Sequence, residues 1–364
     1  MNKARIIAYY LPQFHPVKEN DEWWGKGFTE WTNVGKAKPL FKGHDQPKLP
    51  ADLGYYDLRI PEVREKQAEM AKEYGIEGFC YWHYWFGDGK RLLEMPFNEV
   101  VKTGKPDFGF CLAWANVSWG GLPYGDLYER NLMEQTYPGI DDYTNHFYSL
   151  LSAFKDDRYL KIDNKPIFVV YNPQGIPDSN LFIDLWNELA IKNGLVGIYF
   201  IAYQHFDFPY KTKGFDALTP PSPSHLFKRV KYNFAEKFIK KLTNYKLIQF
   251  KYRNFRIRDL YTHKQIAEAN NYDDVPKEIK FFPSTSPNWD HTPRSGIKGQ
   301  VVVENNSKYF KQSLLNCYQR IKNYKNDEKI IFIKAWNEWA EGNYLEPDKN
   351  TGFDNLNEIK DFLN

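Results

Sequence analysis

Short apolar runs alternate with amphipathic stretches along the whole chain, and eight of the runs read as β-strands. They are Ile6 to Leu11, Ile76 to Trp85, Phe108 to Ala115, Pro166 to Tyr171, Val196 to Tyr203, Phe215 to Leu218, Ile279 to Phe282 and Lys329 to Trp336. Helical periodicity fills the intervals. Pro61 to Tyr74 places Val63, Met70, Ala71 and Tyr74 on one face, with Pro61 in the first turn and Gly75 as the stop. Further helices are expected near Arg91 to Val101, Asp141 to Phe154, Asp178 to Asn193, Tyr309 to Tyr324 and Asp354 to Leu363. Eight strands joined by crossovers predict an α/β fold, a (β/α)8 TIM barrel. An open doubly wound sheet is the competing topology, but no glycine-rich phosphate loop follows any run.

Two segments are too long for simple connections, about 12–60 after strand one and about 220–277 after strand six. Barrel insertions after strands fall on the face where chemistry occurs. With no internal repeat or low-complexity linker, residues 1–364 are expected to form one catalytic domain carrying these insertions.

Polar and aromatic residues crowd the predicted C-terminal ends of the strands. Tyr10, Gln13, His15, Glu30 and Trp31 follow strand one, and Trp82 and His83 close strand two. Trp114 and Asn116 follow strand three, Tyr171 strand four, Tyr203 strand five, and Trp289, Asp290 and His291 strand seven. Strand eight runs into Trp336-Asn337-Glu338-Trp339-Ala340-Glu341-Gly342. Aromatic residues are 18% of the chain, with 11 Trp, which serves either a large core or flat platforms for ligand. Interleaved with His, Asn and carboxylates at one end of every strand, they suit a hydroxyl-rich ring, and the site reads as a sugar site.

Glycoside cleavage uses two carboxyl groups, one to protonate the leaving oxygen and one as base or nucleophile. Glu338 and Glu341 would diverge on a continuing strand; a chain that curls after Trp336, with Gly342 easing the turn, makes them neighbours. Their mutual repulsion then raises one pKa. The plainer alternative is a helix-capping Glu and a surface ion pair; the position between two Trp residues favours the catalytic pair.

The motifs Ala8-Tyr9-Tyr10-Leu11-Pro12-Gln13-Phe14-His15, Gly27-Phe28-Thr29-Glu30-Trp31 and Gly78-Phe79-Cys80-Tyr81-Trp82-His83-Tyr84-Trp85 carry a chain-wide resemblance to the WbsX-like proteins, and Asn337-Glu338-Trp339-Ala340-Glu341-Gly342 resembles the catalytic loop of glycoside hydrolase family ninety-nine. That family comprises the endo-acting α-mannosidases and α-mannanases. Chain-wide, the sequence resembles still more closely the WbsX-like proteins often encoded in bacterial surface-polysaccharide clusters. The resemblance implies a TIM barrel and retention of configuration. It implies that Glu338 acts on a neighbouring sugar hydroxyl, giving an anhydro-sugar intermediate, and that Glu341 serves as acid and then base. Ala340 stands where the hydrolases usually carry His, which bears on subsite contacts. WbsX-like proteins have also been labelled glycosyltransferases, so the expected retaining hydrolase of an α-mannoside-like linkage competes with a glycosyltransferase or transglycosylase of surface-polysaccharide assembly. A non-catalytic glycan-binding barrel is the third reading.

Other signals narrow the picture. A net charge of +3 argues against nucleic acid as partner. The histidines lack metal-motif spacing, and neither metal nor cofactor is expected; an oligosaccharide or polysaccharide is the expected partner. Three scattered cysteines read as buried thiols. No signal-peptide pattern or membrane-length apolar run occurs, so a cytoplasmic location is expected. Residues 228–258 carry eleven Lys or Arg against one acid, Glu236, which suits weak contact with an anionic membrane surface or a solvated helical excursion.

Overall fold

The computed structural model describes residues 3–120, 131–257 and 259–364. Eight parallel strands form the barrel: β1 (Arg5–Tyr10), β2 (Ile76–Trp85), β3 (Gly109–Trp114), β4 (Lys165–Val170), β5 (Tyr199–Tyr203), β6 (Ala217–Thr219), β7 (Ser284–Thr285) and β8 (Ile330–Ile333). Strands β1 to β6 pair in succession, and β1 also pairs with β8, so that Ile7 lies opposite both Gly78 and Phe332. Closure runs through a parallel bridge between Leu218 and Phe281, after which Ser284 pairs with Phe332. This is the TIM barrel that the alternation of apolar runs predicts.

The strands are almost fully buried because the barrel interior faces one side of them and helices cover the other. The covering helices are Pro61–Glu73, Met95–Thr103, Ile140–Phe154, Ser179–Lys192, Ser307–Ile321 and Asp354–Leu363. Their ends follow local chemistry: Pro61 occupies the first turn, and the Asp178 carboxylate accepts from Leu181 N at 3.0 Å. Cys80, Cys111 and Cys317 are buried free thiols.

Two elements differ from expectation. The seventh strand lies later than Ile279 to Phe282: Phe281 bridges β6, but pairing to β8 falls on Ser284 and Thr285, whose polarity gives no apolar signal. The helix expected from Arg91 begins at Met95; Arg91 and Leu92 instead pair antiparallel with Trp85 and Tyr84.

Both long segments sit beyond strand C-terminal ends. The first holds helices Lys18–Trp24 and Glu30–Lys36. The second holds helices Ser224–Arg229, Phe234–Thr243, Leu247–Lys251 and His263–Ala269, with Leu260–Thr262 pairing parallel to Val301–Val303. Its apolar residues join Trp289 and Val301 from beyond β7 in two small clusters apart from the barrel core, one around Leu226, Phe227 and Trp289, the other around Ile257, Leu260 and Val301. Among the described residues no helix is long and apolar enough to cross a membrane.

Candidate active site

The segment after β8 turns back on itself. Trp336 N donates to Tyr9 O at 2.7 Å, Asn337 and Glu338 pair antiparallel with Tyr344 and Asn343, and a 3-10 turn spans Trp339–Glu341. Gly342 closes the turn at φ 63°, and a Cβ there would lie 2.6 Å from Asp290 N. Only glycine combines that conformation with that approach. Asp290 N also donates to Glu341 O at 2.8 Å, so the loops after β7 and β8 touch backbone to backbone. Within the barrel mouth Tyr9 stacks on Trp82 at 4.8 Å and on Phe332 at 5.4 Å, an aromatic plug beneath the loop.

The curl brings Glu338 and Glu341 together. Both are buried, 3% and 8% exposed, and both face the same lysine. Lys334 Nζ lies between them, 3.4 Å from Glu338 and 3.3 Å from Glu341. Trp82 Nε1 donates to Glu338 at 2.8 Å. Arg294 pairs with Glu341 and, at 2.8 Å, with Glu30, while His291 Nε2 stands 3.6 Å from Glu341.

These partners separate the two acids. Burial, with the neighbouring Glu341 charge, pushes Glu338 up to about 8 despite Lys334. Burial opposes ionisation of Glu341 as well, but Lys334, Arg294 and His291 outweigh it and hold that carboxyl well below the usual range. Burial likewise opposes the charge on Lys334, and the acidic pair beside it outweighs burial and keeps it protonated. At neutral pH the pair therefore shares one proton, carried on Glu338.

A cleft of about 310 Å³ opens over this pair. Trp82, Tyr84, Trp24, Phe28, Trp119 and Tyr171 make its aromatic walls, with Gln13, Glu30, Asn33, Arg294 and Lys334 as polar lining. Tyr171 is 37% exposed and stacks on Tyr203 at 5.1 Å, edge-on to Trp82. Of the residues singled out from sequence, Gln13, Glu30, Trp82, Tyr171, Glu338 and Glu341 meet at the cleft.

The others lie behind it. Tyr203 buttresses Tyr171 and Trp82, and Trp289 stacks on His291 with Lys334 Nζ 5.6 Å from its ring. Strand alternation turns His83 and Trp114 outward: His83 Nε2 meets His146 Nε2 at 2.7 Å, and Trp114 Nε1 donates to Trp85 O at 2.9 Å. Asn116 ties β3 to β4 by accepting from Asn172 N at 2.7 Å and donating to Asn172 O at 2.7 Å. Trp336 packs on Phe79 beneath the helices. Trp31 packs against Phe14 and Trp339 and donates to Tyr56 O, and His15 is buried outside the cleft lining.

Tyr10 and Asn337 belong to a supporting network. Tyr10 OH donates to Gln67, Gln67 Nε2 to Glu346 at 2.6 Å, and Tyr56 OH to Glu346 at 2.9 Å. Asn337 Nδ2 reaches Leu11 O at 3.0 Å, and its oxygen accepts from Leu11 N at 2.7 Å, clamping the β8 loop to the end of β1. Asp290 does similar work, accepting from Gln46 Nε2 and Thr292 N and pairing with His44 Nε2 at 2.7 Å.

Sequence reasoning passed over Lys334 and Arg294. A lysine inside the run Ile330-Ile331-Phe332-Ile333-Lys334-Ala335-Trp336 is an available signal, since an isolated buried cation requires a carboxylate partner. Arg294 lies in a short polar helix, Thr292–Ser295, and carries none.

A parallel barrel holding a buried carboxylate pair between aromatic walls at its C-terminal mouth has a glycoside-hydrolase-like fold. The chain belongs to the family described as "Glycosyltransferase WbsX", which matches residues 6–359. It is 35% identical over 361 residues to "Uncharacterized protein WxcX" of Xanthomonas campestris pv. campestris strain B100, covering 96% of this chain and 48% of that protein. The chain thus spans about half the length of the curated relatives it matches. Among solved structures, a "Glycoside hydrolase-like protein" aligns with TM-score 0.59 and 13% identity over 99% of this chain and 94% of its own. The GH99 endo-alpha-mannosidase from Bacteroides thetaiotaomicron aligns with TM-score 0.55 and 15% identity, covering 98% and 96% respectively.

Proposed function

We propose that this chain is a retaining glycoside hydrolase acting on an oligosaccharide or polysaccharide at an α-mannoside-like linkage, with Glu338 and Glu341 as its catalytic pair. The observation that carries the reading is the pair itself: two buried carboxyls sharing Lys334 under an aromatic cleft, one pushed up to about 8 and one held anionic. Acid–base cleavage needs such a division of states, one group to give a proton and one to take it. The aromatic walls offer faces for the C–H surfaces of a sugar ring, and Gln13, Glu30 and Asn33 offer hydroxyl partners.

The resemblance assigns the proton-accepting role to Glu338 and the donating role to Glu341, whereas the balance of neighbours in the cleft puts the proton on Glu338. Substrate hydroxyls that engage Arg294 would release Glu341 from a strong neutraliser and let the proton pass from Glu338 to Glu341 before cleavage. The test is release of new reducing ends from α-mannose-configured oligosaccharides by the wild type and by Glu338→Gln and Glu341→Gln. Each variant is expected to lose about 10²-fold or more in rate while still binding the sugar. Unchanged turnover in either would falsify the assignment.

The family's description favours a second reading, transfer of a glycosyl group to a sugar acceptor rather than to water. The same carboxylate pair serves that reaction if the acceptor hydroxyl takes the place of water. A nucleotide-sugar donor suits the chain less well, because no Asp-x-Asp motif or phosphate loop stands at a strand end. Products that lengthen with added acceptor, with no hydrolysis in its absence, would select transfer.

A further inference from the structure

The excursion between β6 and β7 leaves the barrel at the same end as the cleft, and one of its helices is unlike the other α-helices described. Helix Phe234–Thr243 buries none of its residues. Phe234, Phe238 and Leu242, spaced by four, form an outward stripe that is 85%, 55% and 68% exposed. Such a stripe runs about 12 Å along the helix. Apolar side chains in that register normally face a core, and here they face away from one.

The helix is nevertheless held in place. Asn233 Oδ1 accepts from Glu236 N at 2.9 Å, and the Glu236 carboxylate accepts from Asn233 N at 2.9 Å, closing its first turn. The chain before it is anchored where Leu226, Phe227 and Val230 pack into the cluster around Trp289. The chain after it is anchored by buried Gln249, whose Nε2 donates to Ile257 O at 3.0 Å. Lys237 and Lys241 are exposed on one shoulder of the stripe. The surrounding residues 228–258 contain eleven Lys or Arg and a single acid.

We infer that helix Phe234–Thr243 is an interfacial helix that seats this chain on an anionic lipid bilayer. Its three apolar side chains enter the headgroup–acyl boundary, and the flanking lysines meet lipid phosphates. A second copy of this chain fits the stripe poorly, since an isologous contact would bring two strongly basic collars together. The inference stands on this helix alone, independent of whether the cleft hydrolyses or transfers. It would hold the barrel mouth near glycans carried at a membrane surface.

Vesicle sedimentation of the full chain tests it, with phosphatidylcholine alone and mixed with phosphatidylglycerol. The wild type is expected to co-sediment with the mixed vesicles at low salt, to be released at high salt, and to stay in solution with phosphatidylcholine. Lys237→Gln with Lys241→Gln should lower the partition constant on the order of 25-fold, about fivefold per charge. Phe234→Ser with Phe238→Ser and Leu242→Ser should lower it about tenfold or more, with thermal unfolding unchanged because the side chains are exposed. The inference is overturned if the wild type ignores the anionic vesicles, or if both variants bind as it does. A wild-type dimer that the serine variant converts to monomer would assign the stripe to self-association and overturn it equally.

Discussion

The division of charge between Glu338 and Glu341 has a signature in folding stability. Glu338 carries an ordinary value of 4.5 when unfolded and about 8 when folded. Between those limits the native state holds a proton that the unfolded state has lost, so stability falls as pH rises through that window and levels off above it. One proton contributes about 1.4 kcal/mol per pH step, so the whole interval is worth on the order of a few kcal/mol. Glutamine has nearly the shape of the protonated acid and cannot ionise. Glu338→Gln should therefore match the wild type near pH 5 and exceed it in stability by roughly a few kcal/mol at about pH 8 to 9. Glu346, which burial pushes up to about 7, tilts the curve in the same direction but is common to both proteins, so the difference isolates Glu338. Glu341 contributes in the opposite sense and elsewhere: its depressed value adds stability that is lost only as pH falls below the ordinary carboxylate range. Urea denaturation at a series of pH values measures all of this. Parallel wild-type and Glu338→Gln curves across that range would show that the proton does not reside on Glu338.

Two further outcomes follow from the geometry. Tyr171→Ala removes an exposed wall of the cleft that buttresses nothing beneath it except Tyr203 and Trp82; sugar affinity should fall by about 1 kcal/mol or more in calorimetry while the melting temperature stays within a few degrees. Asn337→Ala cuts the clamp to Leu11 and leaves that buried backbone N–H and C=O unpaired, which should cost about 1–3 kcal/mol in denaturant unfolding; a loss under roughly half a kcal/mol would mean the clamp is not holding the loop.

Much of this architecture is written in the chain as alternation. The run Ile76 to Trp85 coincides with a barrel strand because every residue but Glu77 is buried there, and apolar continuity is the mark of a strand covered on both faces. What composition at a strand end cannot convey is which neighbour points inward. Trp82 and His83 look equally suited to a ligand, yet one reaches Glu338 and the other reaches His146. Period-two alternation from a known inward residue such as Tyr9 would sort them only once the barrel register is known. Asn337 and Tyr10 look like hydroxyl ligands for a similar reason: a polar group near a cleft and one that braces it carry the same letter. Arg294 is silent in sequence because its partners Glu30 and Glu341 lie 264 and 47 positions away.

The seam at Gly342 also bears on how a ligand can enter the cleft. Where Asp290 and Glu341 join main chain to main chain, no rotamer change can widen that side of the cleft, and any replacement of the glycine would force the two loops apart. The cleft is lined elsewhere by side chains, among them the part-buried Trp24 and Trp119 and the buried Phe28. If the chain acts on glycans as proposed, the β7–β8 wall is a fixed jaw, and substitutions at Trp24 and Trp119 are where the accepted chain length should change.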